Sequence, residues 1–313
     1  ERAGDSLTGF EPDLDPDELQ KLLNDPLDRP ARWLGKATVR IVYDLERYRR
    51  TRHDENPQPN AVCTLSRETH DADLAPGDTT KVAVELAYSD GFGRPILTKR
   101  RADPGDVDGA FAAERWVGSG WTVRNAKGLP FQSFEPYFSA TPAYERNLAG
   151  VGTITLYDAL GRAVATVHAN RTYAKTVYGV WKQTSWDVND TIHPSFRYDP
   201  RSEPELELPD PAYRPHDDPD VGPYLRALPE SVCYPTWYAT RMIPELAMAK
   251  WPDYDAETGR PIPGNATIRA EERIAAERAA KHAATPSIAH TDGRGRTIAT
   301  VADNGMDAQG RNR

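Results

Sequence analysis

The spacing of hydrophobic positions changes near residue 37. Before that point Leu19, Leu22 and Leu23 recur at helical spacing. Asp15 suits an N-cap, Pro16 suits the first helical turn, and Asp25-Pro26 closes the segment. Beyond it the period is two. Val39, Ile41 and Tyr43 alternate with Thr38, Arg40 and Val42, and Val82, Val84, Leu86 and Tyr88 alternate with Lys81, Ala83, Glu85 and Ala87. Such alternation predicts strands with one buried face. Further β-prone runs cover 116–124, 131–138, 151–157, 163–168 and 172–186, each bounded by Gly, Asn, Asp or Pro. The expected organisation is a linker with a short helix (1–30), an antiparallel β-rich region (31–198), and Pro/Asp-rich loops with a connector that is partly helical at most (199–265). A helix (266–284) and the start of a further set of strands (285–313) follow. The helix is Ala-rich, Glu277 precedes Lys281 by four residues, and Thr285-Pro286 stops it. It reads as a packing element that braces or plugs a sheet.

Composition narrows the class. The 313 residues include 27 Pro, which disfavours a helical bundle. Seven Trp, fourteen Tyr and seven Phe supply large buried surfaces, and a net charge of −8 is small for this length, so a folded chain is expected. No stretch approaches the roughly 20 apolar residues of a membrane helix. The acidic balance argues against a nucleic-acid partner. The basic runs at 47–52 and 99–101 are flanked by acids and read as solvated strand ends. Cys63 and Cys233 have neither a redox nor a zinc spacing. A first residue of Glu1 instead of Met leads to the expectation of a segment cut from a longer chain.

The most informative feature is a recurring Asp-x-x-Gly-Arg: Asp90-Gly93-Arg94, Asp158-Gly161-Arg162, Asp292-Gly295-Arg296 and Asp307-Gly310-Arg311. A lengthened copy spans Asp255 to Arg260, and Tyr43-Asp44 with Arg47 reads as a copy that lacks the Gly. The pattern suits a hairpin. Asp bonds the backbone two residues on, the middle pair takes type I angles, and Gly accepts the left-handed conformation of a bulged turn. Four copies point to a repeat architecture in which each unit needs its neighbours.

These turns resemble the Tyr-Asp (YD, or Rhs) repeat, Tyr-Asp-x-x-Gly-Arg-hydrophobic. Longer strings sharpen the likeness: RIVYDLERYRRTR (40–52), YSDGFGRPILTK (88–99), RWVGSGWTVRNAKGLPFQSFEPYFSAT (115–141), YDALGRAVATVHANRTYAKTVY (157–178), TSWDVNDT (184–191), DPDVGPYLRALP (218–229), PTWYATR (235–241) and AAKHAATPSIAHTDGRGRTIATVADNG (279–305). Together they resemble the middle region of the B component of Tc-type insecticidal toxin complexes. The resemblance implies a mainly β fold, antiparallel YD/Rhs hairpins forming part of a curved sheet shell with one C-terminal helix and Pro-rich loops. It also implies a secreted, non-enzymatic wall segment that encloses and helps deliver a toxic polypeptide. The implied partners are an Rhs-repeat C component carrying a toxic C-terminal effector and a pore-forming A component, with no cofactor, no nucleic acid and no membrane insertion by this segment. Two stretches, about 202–216 and 251–265, depart from the pattern as insertions and are expected as outward loops.

Other chemistry is sparse. No nucleophile elbow, zinc-protease, P-loop or dinucleotide motif occurs. Glu203-x-Glu205 imitates the paired glutamates of ADP-ribosylating toxins, but Pro204 and Pro209 break the stretch, so it reads as an exposed acidic loop. His216 with Asp217, Asp218 and Asp220, and Asp103, Asp106 and Asp108 with Gly109, imitate parts of a cation loop and read as solvated turns. Trp116, Trp121, Trp181, Trp186 and Tyr178 read as wall core in preference to a sugar platform. The alternatives are a YD-repeat carbohydrate-binding or cell-surface module, and a hydrolase or ADP-ribosyltransferase domain.

Overall fold

The computed structural model describes residue 7 and residues 9–145, 152–201 and 208–312. The chain divides into two compact units, 1–125 with 132–152, and 126–131 with 153–313. The described residues are mainly antiparallel β, with sixteen strands.

In the first unit, α1 (Pro16–Asn24) is capped by Asp15, whose carboxylate accepts from the amides of Asp17 and Glu18 at 2.9 Å each. It is followed by α2 (Pro30–Leu34), β1 (Val39–Asp44), α3 (Arg47–Thr51), β2 (Asn60–Arg67), β3 (Val82–Ser89) and β4 (Pro95–Ala102). Then come β5 (Gly105–Val107), β6 (Ala110–Ala112), β7 (Arg115–Ser119), β8 (Thr122–Arg124) and β10 (Tyr137–Ser139), while β9 (Pro130–Phe134) begins in residues assigned to the second unit and ends in the first. One sheet has the order β1-β2-β3-β4-β7-β10. Its core takes Leu22 and Leu23 from α1, Trp33 and Leu34 from α2, and Cys63, Leu65, Val84, Leu86, Tyr88, Leu97 and Trp116 from the strands. The period-two reading of β3 matches its burial.

β1 is inverted relative to expectation. Arg40, Val42 and Asp44 face inward, and Val39, Ile41 and Tyr43 face solvent. The cause is the N-terminal segment, which offers Arg40 three carbonyls: Trp33 and Glu11 at 2.7 Å and Pro12 at 3.2 Å. A guanidinium whose two terminal nitrogens are hydrogen-bonded is tolerated inside, and its parity carries the whole strand. The run 47–52 is likewise not a strand end: Arg47–Thr51 is a short helix and Arg47 is buried. The Gly-less copy at Asp44 therefore makes no tight turn, because α3 lies in the connection between β1 and β2.

In the second unit β11 (Gly152–Tyr157), β12 (Ala163–Val167), β13 (Tyr173–Tyr178), β14 (Lys182–Trp186), β15 (Ser287–Thr291) and β16 (Thr297–Ala302) pair in sequence order, all antiparallel. Between β14 and β15 run α4 (Gly222–Leu225), α5 (Glu230–Cys233), α6 (Trp237–Met242), α7 (Pro244–Lys250) and α8 (Asn265–Ala280). Val221, Leu225, Leu228 and Cys233 pack on Ile154, Leu156, Val164, Val167 and Tyr173 of the sheet. The connector over 235–250 is more helical than expected. Thr236 caps α6, accepting from the Ala239 amide at 2.9 Å, and Pro244 at the first turn restarts the helix as α7. Within α8 Glu277 pairs with Arg273 at 3.0 Å and not with Lys281. Ala276 and Ala280 pack on Tyr238 of α6, so α8 lies helix on helix.

Candidate functional site

The four Asp-x-x-Gly-Arg segments share one geometry. In each, the Gly amide donates to the Asp carbonyl and the Asp amide donates to the Arg carbonyl, at 2.8–3.0 Å. One Asp carboxylate oxygen accepts from the amide two residues on and from the Arg amide, at 2.9–3.0 Å. The other accepts from the Arg Nε at 2.7–2.9 Å, and the guanidinium folds back onto it. Gly93, Gly161, Gly295 and Gly310 take φ of 74°, 82°, 75° and 75°. The strand registers shift just before Asp90, Asp158 and Asp292, so these three copies are type I turns with a bulge that joins β3 to β4, β11 to β12 and β15 to β16. The fourth, at Asp307, is flanked by a single bridge, Met306 to Asn312. The lengthened copy also turns: the Asp255 amide donates to the Arg260 carbonyl at 2.8 Å with Gly259 at φ 65°, but the amide and hydroxyl of Thr258 join the Glu257 amide on the carboxylate in place of the Arg. Amide donation from Arg162 and Arg296, followed by their side chains, holds the carboxyls of Asp158 and Asp292 below the usual range.

Two buried ammonium groups form a second set. Lys175 of β13 donates to both carboxylate oxygens of Asp218 at 3.0 Å and to Asp220 at 2.6 Å, and stands 4.6 Å from the centre of the Trp186 ring. The Tyr173 hydroxyl donates to Asp218 at 2.7 Å, and the amides of Asp220 and Val221 complete its shell. Burial, then the Asp218 charge, drives the Tyr173 hydroxyl far above its ordinary pKa. The run at His216–Asp220 is thus not a set of solvated turns, since Asp218 is buried on a lysine. In the first unit Lys99 is fully buried, not a solvated strand end. It donates to Ser139 Oγ at 3.0 Å and to the Thr141 carbonyl and Glu145 at 2.8 Å each. Burial outweighs Glu145 and lowers the Lys99 pKa.

A third junction uses Asp190. Its Oδ1 accepts from the amide and hydroxyl of Thr285 at 2.9 and 2.8 Å, and its Oδ2 from the Asp187 amide at 2.8 Å. Burial raises its pKa. Spacing alone did not single out Lys99, Lys175 or Asp190. Strand parity carries the signal for the lysines, because Lys99 shares a face with Leu97, and Lys175 with Tyr173.

The other candidates scatter. Asp106 accepts from the Gly109 amide at 3.1 Å in the β5–β6 turn. Trp116 and Trp121 are core, with Trp121 stacked on Phe134 at 4.7 Å, whereas Trp181 is 60% exposed and is not wall core. Among the described residues no group of three or more His, Cys, Asp and Glu is arranged to hold a metal, and no helix is long and apolar enough to cross a membrane. Glu203 and Glu205 lie outside the described residues.

The fold of this chain is similar to that of part of the chains in solved toxin-complex structures. Three crystal structures show the likeness: TcdB2-TccC3 (16% identity, TM-score 0.55), TcdB2-TccC3-Cdc42 (15%, 0.56) and TcdB2-TccC3 without its hypervariable C-terminal region (16%, 0.56). The likeness covers 99% of this chain but only 11%, 14% and 14% of those chains. No family model and no curated protein matches the sequence.

Proposed function

We propose that this chain is a non-enzymatic wall segment of the shell of a secreted, extracellular toxin complex, one that encloses a toxic polypeptide and helps deliver it. The observation that carries this reading is the fold likeness along 99% of the chain to a short part of the TcdB2-TccC3 chains. In this reading the segment is the middle region of a B component, and the Asp-x-x-Gly-Arg hairpins are its YD/Rhs repeats. Its partners are an Rhs-repeat C component with a toxic C-terminal effector and a pore-forming A component, and the segment itself neither enters a membrane nor binds nucleic acid. The buried junctions suit a wall, because they lock connectors to strands.

The test is electron microscopy of the longer natural protein co-produced with its effector-bearing partner, together with limited proteolysis. A hollow particle with internal density and a protease-resistant effector is expected. A solid particle, or an effector cleaved as fast as when free, would overturn the reading.

A further inference from the structure

β1 and β10 are the two edges of the first unit's sheet, and they are treated differently. β10 is three residues long, a blunted edge. β1 runs six residues in unbroken register against β2, with no Pro, Gly or Lys and no bulge. The amide of Arg67 donates to the carbonyl of Thr38, which sets the phase of the ladder. Thr38, Arg40, Val42 and Asp44 therefore exchange bonds with β2, whereas the N–H and C=O groups of Val39, Ile41 and Tyr43 point off the sheet. The same three residues are 49%, 47% and 58% exposed. Edge-directed backbone groups and exposed β-branched or aromatic side chains thus coincide on alternate residues. The strand is also held rigid from behind through Arg40 and its carbonyl partners.

We propose that β1 is an acceptor edge, paired in the assembled protein with a further strand from a segment of the same polypeptide outside these 313 residues. The inference rests on the shell reading above. The choice of occupant follows from the fold likeness, in which the matched part makes up only 11–14% of the solved chains, so strands from outside it are at hand. The added strand would bond to Val39, Ile41 and Tyr43 and lay alternate apolar side chains beside theirs.

Hydrogen–deuterium exchange resolved to single amides, on the longer natural chain, tests this. The amides of Val39, Ile41 and Tyr43 are expected to exchange as slowly as those of Arg40 and Val42, on the order of 100-fold slower than loop amides. Ile41→Lys is expected to release those three while the β2 amides stay protected. Fast exchange at 39, 41 and 43 in the unmodified chain would overturn the proposal. So would protection that appears only with rising protein concentration and a doubled mass, which would make a second copy the occupant. A hollow particle with an open β1 would sink this inference alone, and a protected β1 without a hollow particle would sink the shell reading alone.

Discussion

At the scale of single residues, the Asp-x-x-Gly-Arg turn is self-contained: five residues satisfy one another's amides and carboxylate, so the same geometry recurs wherever the pattern occurs. The positive φ of Gly161 is the costly element for any other residue. A Cβ there would also stand 3.4 Å from Leu129 Cδ1. Gly161→Val is expected to destabilise the β11–β12 hairpin by about 1–2 kcal/mol, read as a lowered thermal midpoint. An unchanged melt would contradict the left-handed assignment. Protonation is the second lever. The folded-state pKa of Asp158 and Asp292 is depressed, so their contribution is full above the ordinary aspartate pKa and is lost as pH falls through the depressed value. Carboxyl titration followed by NMR should show both groups titrating below unperturbed aspartates; normal titration would refute the Arg amide and guanidinium contacts.

Elements are decided by parity and by what faces them. Lys175 and Lys99 stand on the buried faces of their strands and are stable there only because a carboxylate arrives from far along the chain, Asp218 for one and Glu145 for the other. Lys175→Met leaves the buried Asp218 charge without its cation and is expected to cost about 3–5 kcal/mol, measured by urea unfolding. Adding Asp218→Asn should recover part of that loss. Equal instability of the single and double variants would show that the pair is not what joins α4 to the sheet. The inversion of β1 follows the same logic. Its alternation was evident from residue types, but the buried face was chosen by carbonyls of the N-terminal segment, which no local window contains.

For the molecule as a whole, each unit carries one buried free cysteine, Cys63 in the first and Cys233 in the second. Burial pushes their thiols up to about 12 and about 11. Neither is expected to react with a thiol reagent at pH 8 in the native protein, and both should react in urea. Labelling of Cys233 at a lower urea concentration than Cys63 would show that the units unfold separately, and coincident labelling would show one cooperative fold. Native labelling of either would contradict its burial.

What could be read without coordinates was local. The strand runs, the Asp15 cap and the bulged turns depend on residues within a few positions of one another, and the strings that carried the family resemblance marked these segments in order. The pairings between those strings could not be read this way. Asp218 lies in one string and Lys175 in another, Asp190 in a third and Thr285 in a fourth, and only folding brings each carboxylate to its donor. A buried charge is tolerable when its counter-charge and hydrogen bonds are already in place, and that condition is set by distance in space, to which residue spacing is blind.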